Sequence, residues 1–202
     1  MPATTKTKME QSSGRREEIL AIAARLIAKR GYSATTVRDI AEEAGILSGS
    51  LYHHFASKEA MLQEILHGFM GRLLARYDEI AESVTDPRAG IDALIECSFE
   101  TIEHEPAAVG LYQNEAAFLA TQPGFEFLSA ESERIEKIWI DQLRAGQASG
   151  VFRAEGDPAM TYRFIRDAVW STVQWYRPGG RHTVESMTSQ FLGLLHDGLG
   201  AH

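Results

Sequence analysis

Cysteine is nearly absent: Cys97 stands alone among 202 residues. One thiol closes no internal disulfide, so packing must hold the fold, and a reducing cytoplasm is the expected compartment. A lone Cys on an apolar helix reads as a packing residue. No apolar run approaches the roughly 20 residues that a membrane-spanning helix needs. The first residues lack the apolar core of a secretory signal. No membrane partner is therefore expected. Strand-like alternation persists nowhere, and Gly and Pro sit at the ends of helical patterns, so the expected class is all-α. Catalytic motifs are missing too: there is no Gly-rich phosphate loop and no nucleophile elbow. His53 and His54 are neighbours on one helix, so their side chains diverge by about 100° and cannot share a metal. His67, His104, His182 and His196 show no ligand spacing. An enzyme, a metal site and a cofactor are not expected.

Positive charge is also scarce. The net charge is −8, which argues against a general nucleic-acid coat. Its distribution is uneven: residues 1–60 carry +2 and residues 61–202 carry −10. DNA affinity needs a local basic surface and not a basic protein. An acidic body would repel DNA everywhere except at one small head.

What is present is concentrated in residues 35–58. Thr36 suits an N-cap, because its hydroxyl can accept a bond from an unpaired first-turn N–H. Val37, Ile40, Ala41 and Ala44 follow at helical spacing, and Gly45 supplies the stop. Ile46 and Leu47 read as a turn. Ser48 reads as the cap of a second short helix that buries Leu51 and Phe55. Its opposite side, Gly49, Ser50 and His53 with Tyr52 and His54 flanking, is small, polar and nearly uncharged. Small residues let a helix enter a groove, and hydroxyls and imidazoles reach base edges or phosphates. This is the spacing of a helix-turn-helix whose second helix reads DNA. The candidate DNA-binding residues are Thr36, Val37 and Arg38 before the turn, and Ser48, Gly49, Ser50, Tyr52, His53 and His54 after it. Lys58 joins them as a candidate phosphate ligand. Ser57 caps a third helix, and a cation in its first turn opposes the helix dipole unless an anion compensates. Arg15 and Arg16 stand in the same position on the first helix.

Around this head the chain divides simply. Residues 1–12 are polar and read as a disordered tail, with Lys6 and Lys8 able to graze DNA. The first helix is expected from about Gly14 to Lys29, and the head spans 13–56. A connecting helix over 57–84 keeps Met61, Leu62, Ile65, Leu66, Phe69, Leu73 and Tyr77 on one face. Residues 85–202 form a second unit of further helices. Asp86-Pro87 breaks the pattern of the connecting helix, Asp157-Pro158 marks a start, and Gly150 and Pro178-Gly179-Gly180 mark stops. The helix from 158 to about 176 is apolar on more than one face and so must be covered on two sides. Nine helices are expected in all, three in the head and six in the body.

The runs Thr-Thr-Val-Arg-Asp-Ile-Ala (35–41), Gly-Ile-Leu-Ser-Gly-Ser-Leu-Tyr-His-His-Phe (45–55) and Ser-Lys-Glu-Ala-Met-Leu (57–62) closely resemble the DNA-binding domain of TetR-family transcriptional regulators. The likeness covers about residues 15–66. It implies a three-helix head on a six-helix ligand-binding and dimerisation body. It also implies double-stranded operator DNA as partner, a homodimer through the last two helices, and a small-molecule effector. Tyr-Arg-Phe-Ile-Arg-Asp (162–167), Trp170 and Trp-Tyr-Arg-Pro-Gly-Gly (175–180) further resemble one subgroup, the second type of actinobacterial KstR-type repressors of cholesterol catabolism. That likeness implies release from palindromic DNA by a CoA thioester left from steroid ring degradation. The alternative effector is an unrelated acyl-CoA or hydrophobic ligand.

Arg166 has two readings on its own residues. It sits between Ile165 and Val169, with Trp170 on the same side of the helix. A guanidinium in apolar surroundings needs a partner. That partner is either an internal carboxylate (Asp167, Glu115 or Glu131) or an anionic ligand whose flat part lies on Trp170. The subgroup likeness places both residues in its ligand pocket. Phe69, Tyr112 and Trp139 complete the candidate ligand-binding set. Arg72, Arg76, Arg134, Lys137 and Arg144 are the cations available to a pocket rim.

Overall fold

The computed structural model describes the backbone of residues 4–199 and the side chains of residues 14–196. Helices α1 (Thr4–Arg30), α2 (Val37–Glu43) and α3 (Ser48–Leu51) make the head. Helix α4 (Lys58–Ser83) leads into α5 (Pro87–His104), α6 (Pro106–Leu119), α7 (Phe127–Ala148), α8 (Pro158–Trp170) and α9 (Val184–Leu199). No strand occurs among the described residues, as the missing alternation required.

The local signals act where expected. Thr36 caps α2 in a reciprocal box: the Asp39 N–H donates to Thr36 Oγ1 (3.1 Å) and the Thr36 N–H donates to Asp39 Oδ2 (2.8 Å). Gly45 takes a positive φ of 65° after α2. The Ser57 hydroxyl caps α4 by accepting from the Ala60 N–H (3.1 Å). Asp157 caps α8 with proline at the first helical position, and Asp86, read from the sequence only as a break, caps α5 in the same way.

Three expectations shift. First, α1 starts at Thr4, so the segment read as a disordered tail continues the helix. Between Thr4 and Ser13 there is no Pro or Gly to stop propagation, which is far easier than nucleation. The Lys6 and Lys8 side chains lie outside the described residues. Second, Ser48 is not the cap of α3. Leu47 holds that place in extended backbone, with no side-chain cap. Third, α8 ends at Trp170 and tightens into a 3-10 turn over Ser171–Gln174. There Ser171 and Thr172 hydroxyls donate to the carbonyls of Ala168 (3.0 Å) and Val169 (2.7 Å), competing with the regular ladder.

Helix α4 is the spine. All seven of its expected apolar residues are buried, joined by Met70 and Leu74. It packs on α1 in the head and on α5, α6 and α7 in the body. Helix α6 lies against α1, so a second element ties the body to the head. Helix α9 packs on α5, and α8 on α7 and α5.

Candidate DNA-reading head and ligand cavity

The candidate reading surface is built from α2, the turn and α3. Leu51 and Phe55 are buried, as their one-turn spacing requires, and the short helix packs on α2. Their burial turns Gly49, Tyr52 and His53 outward, with Tyr52 57 % exposed. Ser48, Ser50 and His54 are half-buried beside them. Thr36 and Arg38 are exposed on α2 and its cap, and Val37 is half-buried. All nine candidate residues from Thr36 to His54 are thus at least partly open to solvent. The Asp39 carboxyl is held below its usual range by its bonds from the Thr36 hydroxyl and backbone N–H.

Lys58 does something else. Its ammonium donates to the carbonyl oxygens of Tyr32 and Thr35, both at 2.7 Å, and lies 3.9 Å from the Tyr32 ring centroid. In this structure the cation is held by carbonyls of the loop between α1 and α2. Arg16 is engaged likewise: its guanidinium pairs with Glu64, donates to the His54 carbonyl and covers the Phe55 ring at 4.2 Å. Arg15 donates to the Ala44 carbonyl at 2.5 Å and pairs with Glu18. These three cations staple the head. Spacing alone marked them as cations at helix starts; only the packing of α1, α2 and α4 supplies their acceptors.

The body contains a cavity of about 290 Å³ between α4, α6, α7 and α8. Phe69, Leu73, Tyr112, Ile135, Tyr162 and Trp170 wall it, and Arg166 lies at its edge. Phe69 meets Tyr112 and Trp170 at 5.8 and 6.4 Å between ring centroids. The Tyr112 hydroxyl and Ser132 Oγ share a hydrogen bond of 2.7 Å. A groove of about 340 Å³ continues from it past Gln113, Ala116, Ala117 and Leu128. Tyr112, Ser132 and Arg166 border both spaces. Four of the five candidate ligand residues are thus brought together. Trp139 is not: it is buried behind the wall, against Tyr77 and Tyr162. Its helical face points toward the α4–α7 contact, one turn beyond the cavity. Tyr162, Leu73 and Ser132 line the cavity and were missed, because their spacing reads equally as core.

Arg166 has its partner in Asp167, Nε to Oδ1 at 2.8 Å. Both side chains are largely open to solvent, at 41 % and 69 %, so the pair is screened and weak. The guanidinium also lies 5.6 Å from the Tyr162 ring. Glu115 and Glu131, the other carboxylates considered for it, are used elsewhere. Glu115 Oε1 accepts from the Tyr32 N–H at 2.8 Å, directly joining α6 to the head. Glu131 faces His67 at 3.9 Å, and burial pushes its carboxyl up. Of the cations expected at the rim, Arg72, Arg76, Arg134 and Lys137 pair with Glu105, Glu100, Asp78 and Asp141.

Known proteins share both parts. The family described as bacterial regulatory proteins, tetR family, matches residues 19–65. The tetracyclin repressor-like C-terminal domain matches residues 84–199. The chain belongs to the TetR family. It is 48 % identical over 189 residues to the HTH-type transcriptional repressor KstR2 of Mycobacterium tuberculosis, covering 94 % of each chain. Identity to KstR2 of Rhodococcus jostii is also 48 %, over 94 % of this chain and 93 % of that one. The solved structure of the ketosteroid transcriptional regulator KstR2 of M. tuberculosis superposes with a TM-score of 0.90, covering 93 % of this chain and 96 % of that one. This TetR-type chain is accordingly a transcriptional repressor and not an enzyme. No helix among its described residues is long and apolar enough to cross a membrane.

Proposed function

We propose that this TetR-type repressor holds a palindromic operator as a dimer and is released by a CoA thioester from steroid ring degradation. The observation that carries the reading is the aromatic cavity with Arg166 at its edge and Trp170 in its wall. A flat apolar ring system suits Phe69, Tyr112, Tyr162 and Trp170. The thioester arm and its anionic groups suit the adjoining groove, entered past Arg166. Glu133 and Glu136 also line the cavity, so negative charge is favoured only at the Arg166 end. Relatives at 48 % identity are named KstR2, one of them a ketosteroid regulator, which supports the steroid class.

The dimer face we assign to α8 and α9. Phe164 and Leu194 are 70 % and 72 % exposed in the single chain, with Met160 and Trp175 also open. Two apolar helices uncovered on one side suit pairing with their two-fold mates. Such a dimer presents two heads to successive major grooves roughly 34–36 Å apart.

Coupling runs through two elements. Helix α4 walls the cavity with Phe69 and Leu73 and enters the head with Lys58. Helix α6 walls it with Tyr112 and reaches the head with Glu115. A ligand that shifts either one changes the separation of the heads. A coupling of about 1–3 kcal/mol lowers operator affinity roughly 5–150-fold.

Thermal unfolding with steroid-fragment CoA thioesters, their free acids and ordinary acyl-CoAs tests the effector. Ligand at 100 times its Kd adds about 2.7 kcal/mol. Stabilisation by a steroid-ring CoA thioester alone supports the reading. Stabilisation by ordinary acyl-CoAs instead favours the alternative effector, and no shift with any of them overturns the CoA-thioester assignment. Arg166→Met is expected to retain operator binding and fold stability, losing only the ligand response. Unfolding of that variant would mean that the ion pair with Asp167 is structural.

A further inference from the structure

Leu47 breaks two local rules at once. It occupies the cap position of α3, where Ser, Thr, Asp or Asn would accept a first-turn N–H, and it makes no such bond. It is also an aliphatic side chain 79 % exposed, more than any other large apolar residue among those described. The turn does not need it for packing. Ile46 beside it packs against the core, and the Ile46 N–H already closes the turn on the Ala41 carbonyl at 2.9 Å. A position that forgoes a cap and wets an isobutyl group, with no compensating contact in the folded chain, is a place to look for function.

Its neighbours say which function. Ser48, Gly49, Ser50, Tyr52 and His53 follow it on the exposed border of the head, and they offer hydrogen-bonding groups or bare backbone. In the major groove, thymine alone carries an apolar mark, its C5-methyl group. Resting on the operator-binding reading of α2 and α3, we infer that Leu47 packs against a thymine methyl in each half-site and selects thymine there.

The test uses the full-length dimer and a duplex that it enriches from a random pool. Each thymine of that duplex is replaced in turn by deoxyuridine, which removes only the methyl. One symmetric pair of replacements is expected to weaken wild-type binding roughly fourfold per half-site, about 15-fold together, the worth of a buried methyl. Leu47→Ser is expected to bind the thymine and uracil duplexes equally while unfolding at the same temperature as wild type or higher, since serine restores a cap. Wild-type indifference to every replacement overturns the assignment, as does a Leu47→Ser variant that still discriminates. A pool that enriches no duplex at all overturns the operator-binding reading, and the Leu47 assignment with it.

Discussion

Removing the Lys58 ammonium, by Lys58→Met, separates a staple from a phosphate contact. The ammonium donates to the carbonyls of Tyr32 and Thr35 at 2.7 Å each and rests on the Tyr32 ring. A hydrogen bond from a charged donor contributes about 1.5–3 kcal/mol, and a ring contact at an exposed site about 0.5–1 kcal/mol. Lys58 is half-buried, so water screens part of this, and the variant frees both carbonyls to be hydrated. About 2–4 kcal/mol of lost stability is the expected net effect. At roughly 2–4 °C per kcal/mol for a chain of this size, melting falls by about 4–16 °C. Urea unfolding measures the loss, and operator affinity across a salt series measures the electrostatic contact. A phosphate ligand would show the opposite pattern. Stability would be unchanged and the salt slope would fall by about one for each head. That result would refute the geometric argument and return Lys58 to the DNA surface.

Glu115→Ala removes the acceptor through which α6 holds the Tyr32 N–H. The ratio of operator affinities without and with effector is expected to fall toward one. Glu115→Gln, which keeps an acceptor oxygen, should restore it; equal ratios in all three proteins would leave α4 as the sole route. Thr36→Ala removes the α2 cap and is expected to cost about 0.5–2 kcal/mol in thermal or urea unfolding. Because the folded Asp39 carboxyl titrates below its unfolded value near ~3.9, the stability it contributes is full above that pH and is lost as pH falls through the folded value. The gap between wild type and Thr36→Ala should therefore narrow below about pH 4, leaving the part that the hydroxyl contributes by accepting from the Asp39 N–H, and a gap that does not narrow would contradict the carboxylate half of the box.

Local chemistry was legible in the chain because it is written in neighbouring residues. The cap at Thr36, the left-handed stop at Gly45, the Asp-Pro start of α8 and the apolar face of α4 each follow from spacing within a turn or two. So did the family, since the runs at 35–41, 45–55 and 57–62 are contiguous. The exposed face of α3 followed from spacing too, because burying Leu51 and Phe55 leaves only one orientation for Gly49, Tyr52 and His53. Partners distant in sequence were not legible. That Lys58 faces the carbonyls of Tyr32 and Thr35, and Arg16 faces Glu64, depends on how α1 crosses α4. That Glu115 leaves Arg166 to reach Tyr32 depends on α6 lying against α1. Trp139 and Phe69 are both apolar aromatics on helices that border the cavity, and only packing put one in its wall and the other behind it. Spacing fixes which face a residue is on; what that face meets is decided by the other helices, across contacts that a one-dimensional pattern does not encode.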